Sequence, residues 1–558
     1  MCFVADARHY DQAAREGDRG MRRLAALNRL NALACIKSAD HGWLGASFSV
    51  CEVLTAVYFH LRWDQVVLSK GHAAAMQYAC LYGLGRLDRE QLLSYKDGPE
   101  GLQAHTDVST PGVLVNTGSL GQALSKTAAL AATRPEEPFV VVLGDGELQE
   151  GQVVEGLQTV VHRGLTNLRV VVDENGFQTA LPTDAVKGQV DRVRLLQGLG
   201  LEVRRVDGHD VEAVAAALRE HGEAPLAVLA RTTKGGGSEA LLDAAPPASW
   251  HGRVPEDDLY LRVVEEQVAQ TGLEPLRVEL DRYLARGPRP SATGARGGLS
   301  EKEGATGHHF SRCLEELARD DERIVVLDAD LAAPCGLEGL AETLPAHRFL
   351  EMGIAEQDMV SHAGGLALAG KLPVVSTYAA FYRRALDQLF VNQTEGTKVI
   401  YAGHYAGLGY YTDGQTHQSL NDVGLMRSMP GLVVADPPDG RQTRRLLRWA
   451  AREAPGSVYF RLRRTGAGLD DEPSLVEAAA AEGVLPARPL VLTDRGFDSC
   501  LVAAGPLATR IALAARSAVG LEGWGVVVQC LFGAELDMGF YGELFGGAKR
   551  VITCLLYT

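Results

Sequence analysis

Residues 139–177 read FVVVLGDGELQEGQVVEGLQTVVHRGLTNLRVVVDENGF, and this stretch decides the fold. Two apolar, β-branched runs, Phe139–Leu143 and Leu168–Val172, bracket a helical segment. That pattern predicts a βαβ unit in a buried parallel sheet. The first run ends in Gly144-Asp145-Gly146 and the second in Asp173-Glu174-Asn175-Gly176. Ligands of open α/β sheets sit at the carboxyl ends of strands, so Asp145 and Asn175 arrive at a binding edge from neighbouring strands. Glycines beside them let backbone approach closely. A hard cation carrying a diphosphate needs such oxygen donors. Either turn alone is unremarkable; both together, each closing a strand, point to a ligand site.

The remaining composition bounds the class. At 558 residues the chain exceeds one hydrophobic core and predicts about three domains. It is 46% hydrophobic and 22% charged, as soluble globular proteins are. A net charge of −15 argues against nucleic-acid or anionic-membrane partners. Nine scattered cysteines without a CxxC pair fit reduced thiols rather than a disulfide framework or zinc site. The charged N-terminus lacks a signal-peptide core, and no run reaches transmembrane length, so the expectation is a cytoplasmic protein.

From about Asp18 to Gly85 the pattern is mostly helical, and a short helix is expected over Asp88–Tyr95. Residues 1–255 then read as one α/β domain and 256–303 as a helical linker ending in GPRPSATGARGG. A second α/β domain spans 304–466, with strands at Ile324–Leu327, Val374–Ser376, Lys398–Tyr401, Gly431–Ala435 and Val458–Leu462. A smaller α/β segment, 467–558, carries strands at Cys500–Ala503 and Gly525–Gln529. It ends in RVITCLLYT and reads as truncated.

Nine strings together resemble the transketolase family of thiamine diphosphate enzymes. They are HGWLGASFSVCEVL, LSKGHAAAMQYACLYGLG, TPGVLVNTGSLGQALS, GDGELQEGQVVEG with DENGFQ, TTKGGG with SWHG, LDADLA, MGIAEQDM, STYAAFYRRALDQ and TDGQTHQSLNDVGLMRSMPG. The resemblance implies a three-domain α/β fold: diphosphate-binding (PP) and pyrimidine-binding (Pyr) domains with parallel sheets, and a smaller C-terminal domain. It also implies a homodimer, with thiamine diphosphate held between the first domain of one subunit and the second of the other.

The same resemblance assigns roles. Asp145, Asn175 and the main-chain carbonyl of Phe177 match the Mg²⁺ ligands. Gly118, Gly144, Gly146 and Asp330 match cofactor contacts, and Phe381 matches the aromatic stacked on the pyrimidine. Glu150 resembles the carboxylate that couples the two active sites. Glu356, in GIAEQ, matches the glutamate that hydrogen-bonds the pyrimidine nitrogen, which requires a desolvated carboxyl of raised pKa. Without the other motifs it would read as an acidic residue at a helix N-terminus. His41, His72, His105, His251 and His417 match histidines that line the substrate channel and assist proton transfer, a task suited to imidazole. Asp413 resembles the carboxylate that reads the hydroxyl next to the donor carbonyl. The run Gly235–Gly237 lacks dinucleotide-loop spacing and reads as a mobile loop.

Two departures stand out. Where sugar-phosphate transketolases carry a phosphate-clamping Arg, this chain has Gly307, with His308, His309 and Arg312 nearby; Pro334 replaces a family serine. Arg461, Arg464 and His404 remain as candidate phosphate contacts, and Arg464 is a candidate substrate residue. The expectation is ketol transfer with a donor or acceptor other than the usual pentose phosphates. The alternatives are a deoxyxylulose-phosphate synthase-like condensation, two-carbon transfer to a carrier thiol, or a non-catalytic paralogue.

Overall fold

The computed structural model describes all residues except 1, 16–17, 99, 180, 189, 221, 286–304, 408–412, 465–488, 493–496, 519, 521–523, 533–542, 547 and 555–558. The linker string and the last four residues lie outside that set. The chain divides into two compact units: Met1–Gly294 with Thr412–Thr416, and Ala295–Tyr411 with His417–Thr558.

The first unit is built on five parallel strands: β1 (Gln65–Leu68), β2 (Phe139–Gly144), β3 (Leu168–Glu174), β4 (Glu202–Asp207) and β5 (Leu226–Arg231). Their order is β1-β2-β3-β5-β4. β2 and β3 pair in register from Phe139 with Leu168 to Gly144 with Asp173. Alternate residues feed two different cores. Val140, Val142 and Val171 join one with the helix Asp18–Ala39; Val141, Leu143, Val170 and Val172 join the other with the helix Gly151–His162. A strand covered on both faces must be apolar at every position, which explains the unbroken β-branched runs.

β1 is a strand within the stretch Asp18–Gly85 that the pattern gave as mostly helical, because four residues are too short for a periodic signal. The short helix is Arg89–Leu93, started by a capping box between Asp88 and Gln91. The helices Asp257–Thr271 and Glu274–Ala285 bury Tyr260, Val264, Leu276 and Leu280 in the first unit's core, so residues 257–285 of the segment expected as a linker pack into that unit.

The second unit holds a seven-stranded sheet. It contains β6 (Ile324–Asp328), β7 (Phe349–Glu351), β8 (Leu372–Tyr378), β9 (Ile400–His404), β10 (Val433–Ala435), β11 (Val458–Arg461) and β15 (Leu531–Phe532). Their order is β15-β10-β11-β9-β8-β6-β7, parallel except for β15. A four-stranded sheet orders β12 (Leu490–Val491), β14 (Trp524–Val528), β13 (Ser499–Ala503) and β16 (Arg550–Cys554) as β12-β14-β13-β16. β15 thus carries residues from beyond 467 into the edge of the larger sheet. Among the described residues no helix is long and apolar enough to cross a membrane.

Candidate active site

The carboxyl ends of β2 and β3 hold the first cluster. Asp145 is 2% exposed; its Oδ1 accepts from Gly146 N–H at 2.9 Å and its Oδ2 from Gly176 N–H at 2.8 Å. Burial pushes its carboxyl up to about 6, against the pull of Arg192, 4.0 Å away. Asn175 Oδ1 accepts from Phe177 N–H at 3.0 Å while its amide Nδ2 donates to Asp173 at 3.1 Å. Asp145 and Asn175 bring side-chain oxygens to this edge, one of them a buried carboxylate, donor chemistry that fits a Mg²⁺–diphosphate group rather than a thiolate- or imidazole-bound metal.

Residues that the motif reading passed over hold this edge in place. Asp173 is fully buried, ion-paired with Lys70 and hydrogen-bonded by Ser49 Oγ (2.7 Å) and Thr232 Oγ1. Burial opposes its charge, but Lys70 and these donors hold its carboxyl below the usual range. Glu147 accepts from Ser69 Oγ, Gly121 N–H (2.8 Å) and Gly144 N–H (3.1 Å), tying three loops together. Glu150 is 2% exposed at the N-cap of the helix Gly151–His162, and its Cβ lies 3.0 Å from where a Gly121 side chain would begin. Gly118 has φ +109°, and a Cβ there would stand 2.5 Å from Thr416 Oγ1 and 3.0 Å from the His105 ring, so only glycine fits.

The histidines form a second cluster in the same unit. The Trp43 ring packs against His41, His105 and His251 at centroid distances of 5.8, 4.8 and 6.3 Å, and His72 lies 6.1 Å from His251. His105 Nδ1 donates to the Asp413 carbonyl at 2.9 Å. Lys96 Nζ donates at 2.7 Å both to Asp413 Oδ1 and to His41 Nδ1. These partners set the tautomers: His105 carries its proton on Nδ1 and His41 on Nε2. Desolvation, then neighbouring cations, hold His72 and His251 well below the usual histidine value, and burial lowers His105. Neutral imidazoles therefore face this space. Lys96 and Trp43 escaped the motif reading, although HGW in the quoted strings carried Trp43.

The Gly235–Gly237 run is anchored, which corrects the expectation of a mobile loop. Gly235 N–H donates to the Gly45 carbonyl at 3.0 Å, and Gly236 O accepts from Arg29 Nε at 3.2 Å. Gly237 O accepts from Gln267 at 2.8 Å, and Lys234 Nζ donates to the Thr179 carbonyl at 3.1 Å. Spacing reports only the absence of a dinucleotide fingerprint; side chains distant in sequence supply these partners.

In the second unit, Glu356 opens the helix Glu356–Leu368 and is 5% exposed. Its Oε2 has no hydrogen-bond partner among the described residues, with the Arg384 guanidinium 3.5 Å away. Burial outweighs a backbone N–H that favours the charge and pushes this carboxyl up to about 7. Phe381 begins the turn that carries Arg384; its ring stacks on Tyr378 (5.4 Å, 17°) and meets His417 edge-on at 5.2 Å. Asp330 sits in the left-handed region at φ +59° and donates its N–H to Glu351 Oε1 at 2.9 Å. The same oxygen accepts from Gly353 N–H at 2.9 Å, so Glu351 ties the loop after β6 to the loop that presents Glu356. Asp328 pairs in register with Glu351; burial and that neighbouring carboxylate push its carboxyl well above the usual range.

The first unit therefore gathers His41, His72, His105, His251 and Asp413, whereas His417 sits with Phe381 in the second. Residues 21–258 match the family model described as "Transketolase, thiamine diphosphate binding domain", and residues 302–468 match "Transketolase, pyrimidine binding domain". Transketolase-like protein 2 of Mus musculus is 30% identical over 473 residues, covering 78% of this chain and 73% of that one.

The chain belongs to the transketolase family.

Human transketolase is also 30% identical, over 464 residues that cover 78% of this chain and 73% of the relative. 1-deoxy-D-xylulose-5-phosphate synthase 2 of Geobacter sulfurreducens is 28% identical over 549 residues, covering 92% and 83% respectively. Within this transketolase-family frame, the positions considered for phosphate lie together in the second unit. A Cβ on Gly307 would stand 3.2 Å from His404 Nδ1, and Gly307 N–H donates to the Arg463 carbonyl at 3.2 Å. Arg461 is not available as a phosphate contact, a correction to the sequence expectation. It is 1% exposed and binds Asp422 (2.7 Å) and Asp436 (2.8 Å). His404 is pushed down to about 3 by burial and stays neutral. The Arg464 guanidinium lies 5.6 Å from the Tyr405 ring centre.

Proposed function

We propose that this transketolase-family enzyme transfers a two-carbon ketol unit from a ketose donor to an aldose acceptor. The observation that carries the reading is the grouping of His41, His105 and His251 around Trp43, with Asp413 brought in from 308 positions beyond His105. Such a set of neutral imidazoles beside a carboxylate and an ammonium can donate to a ketose carbonyl and accept from its hydroxyls.

Thiamine diphosphate, when bound, supplies the thiazolium carbon that adds to the donor carbonyl and holds the two-carbon unit. Asp145, Asn175 and the Phe177 carbonyl would hold Mg²⁺ and through it the diphosphate; Gly118, Gly144 and Gly146 would let backbone approach the cofactor. Glu356 would keep a proton at the pyrimidine nitrogen, a task that fits a desolvated carboxyl titrating near neutrality. Phe381 and Asp330 would pack against the pyrimidine, and Glu150 would couple two sites in a cytoplasmic homodimer. His72 and His417 would complete the channel, with Arg464 at its substrate end.

The test loads the purified protein with Mg²⁺ and thiamine diphosphate and offers ketose donors with aldehyde acceptors. Two-carbon transfer without carbon dioxide release from pyruvate supports the reading. Carbon dioxide release with condensation would favour the synthase-type alternative raised by the Geobacter relative. Cofactor binding without turnover, unchanged in Glu356→Ala, would favour a non-catalytic paralogue.

A further inference from the structure

Arg192 faces the Asp145 edge of the first unit without being consumed by it. Asp191 accepts from Arg194 N–H at 3.1 Å and caps the helix Arg192–Gly198, so Arg192 is the first helical residue and its side chain turns back to the strand ends. That side chain is 15% exposed, and three carboxylates surround its guanidinium: Glu174 at 3.4 Å, Asp184 at 3.7 Å and Asp145 at 4.0 Å. Only Glu174 lies within hydrogen-bond range, and that bond is long. None of the three depends on Arg192 as its main partner. Arg205 donates twice to Glu174, at 2.9 and 2.7 Å, and Asp145 accepts from the Gly146 and Gly176 N–H groups. Asp184 is 63% exposed, so water screens it. Among the described residues, Arg192 Nε and Nη2 therefore donate no hydrogen bond.

A guanidinium keeps its charge throughout the working pH range, and unspent donors on it call for an anion. A divalent cation on Asp145 would sharpen that need, because it would neutralise the nearby carboxylate and set a second positive group beside Arg192. A diphosphate satisfies both groups at once: some of its oxygens suit the hard cation, and others suit the planar fork of an arginine.

We propose that Arg192 is a further cofactor-binding residue, whose guanidinium fork donates to diphosphate oxygens that the cation at Asp145 does not hold. The inference rests on the thiamine diphosphate reading above and adds a residue that none of the motif strings carried.

The experiment is calorimetry on the full-length protein freed of bound cofactor, titrated with thiamine diphosphate at limiting and at saturating Mg²⁺. It compares wild type, Arg192→Gln and Arg192→Lys. Arg192→Gln is expected to weaken thiamine diphosphate binding by about 10- to 100-fold, the worth of a charge-assisted hydrogen bond, and the loss should persist at saturating Mg²⁺. Arg192→Lys keeps the charge but not the fork and should weaken binding less, by about threefold or more. A loss that vanishes at saturating Mg²⁺ would place the effect of Arg192 on the metal and overturns the proposal. So does a Arg192→Gln protein of lowered Tm that binds thiamine diphosphate as wild type does, because Arg192 would then only tie its helix to Glu174. If Arg192→Gln does not fold, Arg192→Lys decides, and wild-type affinity in that variant overturns the proposal. Failure of wild type to bind thiamine diphosphate would instead sink the cofactor reading itself. Wild-type binding matched by both variants leaves that reading standing and removes only the role of Arg192.

Discussion

Asp145 in the first unit and Glu356 in the second are both buried carboxyls pushed up by desolvation, to about 6 and about 7. Their surroundings differ. Asp145 accepts two backbone N–H groups and has Arg192 within 4.0 Å, so its oxygens are already oriented as acceptors. Glu356 also has a guanidinium nearby, Arg384 at 3.5 Å, but its Oε2 has no hydrogen-bond partner among the described residues, and burial pushes its carboxyl up. Under the proposed function the same upward push would serve two ends: the carboxylate surrounded by donors would hold a cation, and the carboxyl with the unpaired oxygen would keep a proton for a ligand nitrogen.

Three measurements would break or sharpen this contrast. The largest effect is expected for Glu356→Gln, which keeps size but cannot exchange the proton. Turnover should fall by about 10² to 10⁴, with thiamine diphosphate affinity nearly unchanged. Loss of affinity with retained turnover would reverse the assignment. Next, Asp145→Asn should weaken Mg²⁺-dependent cofactor binding by at least about 100-fold, read by calorimetry with and without metal. Equal weakening in both conditions would mean that Asp145 does not act through a cation.

The smallest effect concerns pH. Because the folded-state value of Glu356 is raised from the ordinary 4.5 to about 7, the folded protein binds this proton more tightly than the unfolded chain. Its contribution is fully present below about 4.5 and is lost as pH rises through about 7, by at most about 3 kcal/mol. Relative to wild type, Glu356→Gln should therefore gain a few degrees in Tm between pH 5 and pH 8 in the absence of cofactor. A Tm difference that does not vary with pH would show that Glu356 stays ionised throughout.

How much of this was legible depended on range. β2, β3, β5 and the main strands of the second unit announce themselves because burial on both faces demands apolar residues at every position. β1 and β7 do not, since strands of four and three residues carry too little pattern. Motif strings located Asp145, Asn175, Glu356 and the histidines. They were silent on Lys96, which meets His41 and Asp413 across 55 and 317 positions, and on the Lys70–Asp173 pair. Arg461 shows the opposite error: its residue type suggested a phosphate contact, but two buried aspartates claim its guanidinium.

The sequence by itself determined the class of sheet, the family and the residue types available for thiamine chemistry, because apolar runs and short turn motifs are local properties. Only the tertiary structure decided which donors are free and which are spent. The opening GDG…Asn pair becomes an oriented oxygen edge through Asp173 and Glu147, and Arg461 is claimed by Asp422 and Asp436. Charge and hydrogen-bond satisfaction depend on neighbours within a few ångströms, and those neighbours lie tens to hundreds of residues away along the chain.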